Sequence, residues 1–177
     1  RPSISVKLSA LHPCFEAGHE ARLMKELLPR LNALERHAQA RGLGLTVDAE
    51  EQDRLEPTLR IFGEAFVNPA IGPWNGLGIA VQAYGRRAIP VLRWLRRLSE
   101  ETGKRIPVRL VKGAYWDSEI KRAQLDGQDG YPVYTRKPYT DVAYIACASK
   151  LLAAPDAVFP QFATHNAHTM AAVHALA

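Results

Sequence analysis

The chain has 177 residues, 47% hydrophobic and 23% charged, enough for one buried core and too apolar for a disordered polypeptide. Its net charge of +5 favours anions, but the basic residues are interleaved with acidic ones, which argues against a nucleic-acid-coating tail. Cys14 and Cys147 form neither a CxxC nor a disulfide framework, no apolar run approaches the ~20 residues of a spanning helix, and RPSISVKLSA lacks a signal-peptide centre. A reducing cytosolic setting is expected, with peripheral membrane contact left open. A strand that starts by Ser3, right behind an arginine at position 1, predicts a segment of a longer polypeptide.

Residues 4–9 (ISVKLS) read as the first strand. Leu23, Leu27, Leu31, Leu34 and Ala38 then recur at helical spacing, with Pro29 expected to kink or split the helix and Gly42 to stop it. Residues 44–49 (GLTVDA) form a second strand candidate, followed by Leu55, Leu59, Phe62 and Phe66 on a helix holding an awkward Pro57. Residues 77–83 (LGIAVQA) lead into a helix marked by Ala88, Val91, Leu95 and Leu98 and ending at Gly103. Residues 106–113 (IPVRLVKG) precede a short helix after Trp116, a loop DGQDGYPVYTRKPYT and a helix over 141–152. Residues 157–163 (AVFPQFA) run into HTMAAVHALA. The strands read as fully buried.

Strand and helix alternating five times predict a parallel sheet. An open doubly wound sheet should show a Gly-rich phosphate turn after its first strand, and KLSALHPCF has none. Polar groups instead follow every strand: Lys7, Asp48, Gln82, Arg109 with Lys112, and Thr164 with His165 and Asn166. In a (βα)8 TIM-type barrel those ends share one mouth, so the reading is an α/β barrel of which five βα units are present.

Each residue has a plainer reading. Lys7 can snorkel to solvent, Asp48 can cap the next helix, and Gln82 can satisfy backbone. His165 and His168 lack a third metal ligand, so no metal is expected. The combination carries more weight. Lys7, Arg109 and Lys112 around Asp48 make an electropositive mouth, and the charge in the middle of the strand VRLV is costly unless something meets it; a ligand is the first candidate. Gly113 would let backbone approach that ligand, and Tyr115 and Trp116 offer flat apolar surface, or else lie as core aromatics beneath a loop. Thr135, Arg136, Lys137 and Thr140 can hold phosphates or stand in a solvated loop. Two other functions stay open: a Schiff-base lyase using Lys7 or Lys112, and a module binding nucleic acid or phosphate.

The stretches SVKLSALHP, TVDAEEQDRLE, AVQAYGRR, VRLVKGAYWDSEIKRAQ, DGYPVYTRKPYTDVAYIACASKLL and FPQFATHNAHT resemble, in order and over nearly the whole chain, the proline dehydrogenase domain of bacterial bifunctional proline utilisation flavoproteins. The resemblance implies a barrel holding FAD and oxidising L-proline to 1-pyrroline-5-carboxylate by hydride transfer, the first step of proline catabolism. It implies Lys7, Asp48, Arg109 and Tyr115 as catalytic residues. Asp48, Gln82, Arg109, Val111, Lys112, Gly113, Ala114, Tyr115, Trp116, Thr135, Arg136, Lys137, Thr140, Ala163, Thr164, His165 and Asn166 would bind the cofactor. Implied partners are a membrane quinone as electron acceptor and an aldehyde dehydrogenase domain of the same polypeptide. The parent would be cytoplasmic and peripherally membrane-associated when reduced. Homo-oligomerisation is a further option, and DNA enters only where the parent has a separate N-terminal DNA-binding domain. Residues 1–177 would be part of one barrel domain, cut before the last strands and final helix that give this family a leucine, a tyrosine and an arginine pair in the substrate pocket. Weak or no proline turnover is therefore expected of this stretch alone.

Overall fold

The computed structural model of the chain describes residues 2–177. Five strands form one parallel sheet: β1 Ser3–Val6, β2 Gly44–Val47, β3 Leu77–Gln82, β4 Ile106–Val111 and β5 Val158–Phe162. They lie side by side in chain order. One row of the register runs Val6, Val47, Ile79, Val108, Pro160. A doubly wound sheet reverses its order at a switch point; this sheet does not, so the arrangement is that of a partial TIM-type barrel.

A side chain reports how strongly the sheet is rolled. Arg109 on β4 donates to Ser5 Oγ on β1 at 2.8 Å, and its guanidinium also contacts Asp48 beyond β2. On a flat sheet three strand spacings would be about 14 Å, beyond one arginine's reach. The concave face must therefore bring these ends together.

Helices cover the convex face. The segments α1 Leu8–Leu11, α2 Glu20–Glu26 and α3 Leu28–Ala40 follow β1, and α4 Leu55–Phe66 follows β2. Then come α5 Ala88–Thr102 after β3, α6 Trp116–Leu125 and α7 Lys137–Leu152 after β4, and α8 Ala167–Leu176 after β5. Their apolar stripes make one core in which Leu23, Leu27, Leu31, Phe62, Phe66, Leu95, Tyr144, Cys147 and Leu151 are buried against the strands. Pro29 splits the first long helix, sitting in the first turn of α3, where a missing N–H costs no helical bond. Pro57 falls likewise in the first turn of α4. Gly42 and Gly103 follow α3 and α5 with left-handed backbone, each at φ +65°.

Two expectations need correction. The strands are not uniformly buried: β3 is buried throughout, β4 alternates, and β1 is largely exposed. Helices cover only one side of the sheet, and β1 and β5 are its edges. The last long helix begins at Lys137 rather than 141, because Pro138 is compatible with a first turn; this moves Thr140 from the loop into a buried position on α7.

Candidate active site

The register decides which side chains meet. Asp48 follows Val47, whose partner is Ile79, and Ala80 is paired with Arg109. Arg109 and Asp48 thus sit on one level with only Ala80 between them, and its small side chain lets the guanidinium cross β3 to the carboxylate. Their side chains remain about a quarter exposed, at 29% and 24%, so the pair stays open to a ligand. The cost of placing Arg109 mid-strand is met inside the chain, by Asp48 and Ser5, before any ligand is considered.

The C-terminal strand ends enclose a cavity of about 640 Å³, within the usual range for small-molecule and cofactor sites. Lys7, Asp48, Gln82, Arg109, Val111, Lys112, Gly113, Ala114, Tyr115, Lys137, Ala163, Thr164, His165 and Asn166 line it, together with Ala49 and Ala80. Four cations against one carboxylate make it electropositive, and the alanines with Val111 give it an apolar floor. Of the residues singled out in the sequence, Trp116, Thr135, Arg136 and Thr140 are not in this lining. Trp116 donates its indole N–H to Tyr134 O at 2.9 Å, and Thr135 and Arg136 are exposed just before α7.

Lys7 follows β1 as the N-cap residue of α1, with its ammonium 5.6 Å from the Tyr115 ring centroid. The Tyr115 hydroxyl beside it, and after that the Glu50 and Asp48 carboxylates, hold its pKa above the ordinary lysine value. Lys112 donates to Asp141 at 2.5 Å and Lys137 to the other oxygen at 2.7 Å. Those two cations push the Asp141 pKa down. Asn166 caps α8, accepting from the Thr169 amide at 2.9 Å. His165 opens on the cavity while His168 lines a separate groove between α7 and α8.

Gly113 has a reason the sequence did not reveal. Its φ is +148°, and a Cβ there would lie 2.3 Å from the ring of Tyr84, which is 2% exposed. The close approach that demands glycine comes from the turn after β3, not from the cavity. Burial, then the nearby Glu119 carboxylate, raises the Tyr84 pKa. Ala80, Ala49, Asp141 and Ser5 were missed as parts of the site. Asp141 had a partial signal in its i, i+4 spacing from Lys137; the others depend on strand register.

A rolled parallel sheet with charged and polar groups converging at its strand ends defines an enzyme of the TIM-barrel class. The family model "Proline dehydrogenase" matches residues 1–177, and the chain belongs to the proline dehydrogenase family. It is 54% identical over 176 residues to the bifunctional protein PutA of Escherichia coli K12, covering 99% of the chain and 13% of that protein. Identity to the bifunctional protein PutA of Rhizobium meliloti is 50% over 181 residues, covering 99% of the chain and 14% of that protein. A crystal structure of a mutant of Bradyrhizobium japonicum proline utilization A superposes with a TM-score of 0.98 at 55% identity, over 99% of this chain and 18% of that one. The chain thus spans a small fraction of the relatives it matches.

Proposed function

We propose that this chain forms the first five βα units of a (βα)8 proline dehydrogenase domain that oxidises L-proline to 1-pyrroline-5-carboxylate with FAD. The observation that carries the reading is the single cavity shared by Lys7, Asp48, Gln82, Arg109 and Tyr115, delivered by four successive strands. The donor set fits a flavin dinucleotide: an apolar floor suits a planar ring, Arg109 suits negative charge on that ring, and Lys112 and Lys137 suit phosphates. When bound, FAD supplies the two-electron acceptor for the hydride that leaves the substrate carbon next to nitrogen. Gln82, Arg109, residues 111–116 and residues 163–166 would hold it, with Thr135, Arg136, Lys137 and Thr140 toward its dinucleotide end.

Lys7 offers a fixed cation to the substrate carboxylate, and its raised pKa keeps it protonated at neutral pH. Tyr115 lies beside Lys7 and presents its ring to the apolar body of proline. Asp48 holds the guanidinium of Arg109 in place on the cavity wall. A protonated Lys7, and a Lys112 held by Asp141, both disfavour a Schiff-base lyase, which needs a neutral amine.

The relatives are named as bifunctional, which supports a parent carrying a second, aldehyde dehydrogenase domain. The same reading gives the parent a cytoplasmic location and passes its electrons to a membrane quinone by peripheral contact in the reduced state; among the described residues no helix is long and apolar enough to cross a membrane. The test is the visible absorption spectrum of the FAD-containing parent before and after anaerobic addition of L-proline. Bleaching of the flavin bands is expected; an unchanged spectrum would overturn the reading.

A further inference from the structure

We infer that Glu50 and Gln82 form a strut that sets the relative positions of Lys7, Asp48 and Tyr115, which makes Glu50 a positioning residue of the site. The inference rests on the function proposed above and concerns a side chain that does not line the cavity. Glu50 Oε1 accepts the Ser9 amide at 3.0 Å, and Oε2 accepts Arg54 at 2.9 Å. The Glu50 carbonyl accepts Gln82 Nε2 at 2.9 Å, and Gln82 Oε1 accepts the Ala114 amide at 3.0 Å. The chain of bonds therefore runs from the turn after β1, through the turn after β2 and the end of β3, to the turn after β4.

Each anchor adjoins a site residue. Ser9 is two residues from Lys7, Glu50 two from Asp48, and Ala114 precedes Tyr115. Glu50 and Gln82 are both 6% exposed, so water does not compete for these bonds. A carboxylate is required because it must accept from a backbone N–H and from a guanidinium at once; an amide in its place keeps one acceptor and turns its own N–H groups on the other donor. Ser9 lies in α1, whose cap is Lys7, so losing its acceptor frees the segment that aims the Lys7 ammonium. Misplacement of a binding group by about 1 Å costs on the order of 100-fold in a reaction.

The test uses the whole FAD-loaded parent enzyme. Glu50→Ala should raise KM for L-proline by roughly tenfold or more while kcat stays within about threefold, because Lys7 supplies binding rather than chemistry. Glu50→Gln should raise KM by roughly threefold, since one acceptor survives. Hydrogen exchange supplies a readout independent of turnover: amides at 8–11 should exchange faster in Glu50→Ala, and those at 113–116 faster in Gln82→Met, with 106–110 unchanged. A merely structural role predicts a lowered melting temperature with KM within about twofold of wild type and unaltered exchange at those turns; that result overturns the strut. Should Glu50→Ala not fold, an unchanged KM in Glu50→Gln overturns it equally. Wild-type flavin that does not bleach with proline would instead refute the proposed function, leaving the exchange data to decide on the strut.

Discussion

Replacing Gly113 by alanine tests the packing beneath the cavity directly. The added Cβ would meet three ring atoms of Tyr84 at 2.3, 2.4 and 2.5 Å. Carbon atoms settle at about 3.5–4.0 Å, so the overlap is more than about 1 Å. Tyr84 has no free space to yield: its ring is buried, its amide donates to Lys112 O at 2.8 Å and its carbonyl accepts the Tyr134 amide at 2.8 Å. Overpacking of this kind costs about 1–3 kcal/mol. The φ of +148° adds a backbone penalty of about 1–3 kcal/mol for any residue with a side chain. Gly113→Ala is therefore expected to lower stability by about 4 kcal/mol in urea unfolding of the parent, the middle of the combined range. In a Tyr84→Ala background, which removes all three clashing atoms, the steric part should largely vanish, leaving a coupling of about 1–3 kcal/mol between the two changes. A cost for Gly113→Ala that is the same in both backgrounds would show that Tyr84 is not what the glycine accommodates.

Lys7→Met keeps the side chain's length and removes its charge; KM for L-proline should rise by roughly 10- to 100-fold, as expected for one lost charge-assisted hydrogen bond, and steady-state kinetics at fixed ionic strength would measure it. Glu35 gives a pH-dependent prediction. It is fully buried on α3, neither carboxylate oxygen has a hydrogen-bond partner, and burial pushes its pKa to about 7, opposed weakly by the charges of Lys104 and Arg36. An acid with a raised folded-state pKa favours folding while protonated, so its contribution is complete below about pH 4.5 and lost as pH rises through about 7. Glu35→Gln should flatten the fall in stability between those two values; chemical denaturation at pH 5 and pH 7.5 would reveal it, and an unaltered slope would place the ionisation elsewhere.

Four of the strands were legible in the sequence to within two residues because each is a compact apolar run bounded by polar residues, whereas β1, expected over 4–9, ends at Val6 because Leu8 and Ser9 already belong to α1. Lys7, Asp48, Gln82 and Arg109 were legible as cavity-lining residues for the same reason: a polar or charged side chain in or at the end of such a run needs a partner. Partnerships were not legible. Nothing local ties Asp141 to Lys112, 29 positions away, or Ser9 to Glu50, 41 positions away, since only the rolled sheet brings those turns together. Gly113 illustrates the limit. Its glycine-only backbone could be suspected from its place at a strand exit, but the neighbour responsible, Tyr84, belongs to the turn after another strand, β3. The start of α7 was missed because Pro138 reads as a breaker in sequence and as an ordinary first-turn residue in three dimensions.

The pairing of charges also refines what the cavity can recognise. Taken from sequence, Lys7, Arg109 and Lys112 formed one undivided positive mouth. In the structure Asp48 neutralises Arg109 at the middle of the sheet, and Asp141 is shared by Lys112 and Lys137 at the start of α7. Positive charge in excess is left at two places, beside β1 at Lys7 and at the pair around Asp141, with the Arg109–Asp48 ion pair, its guanidinium still open to the cavity, and the small side chain of Ala80 between them. A ligand matched to that pattern carries an anion at each end and a flat, weakly charged body across the middle. A single phosphate or a nucleic-acid backbone lacks that spacing. A small carboxylate lying against the ring of a dinucleotide cofactor supplies it, and this separation of charge is the strongest electrostatic support for the proposed function.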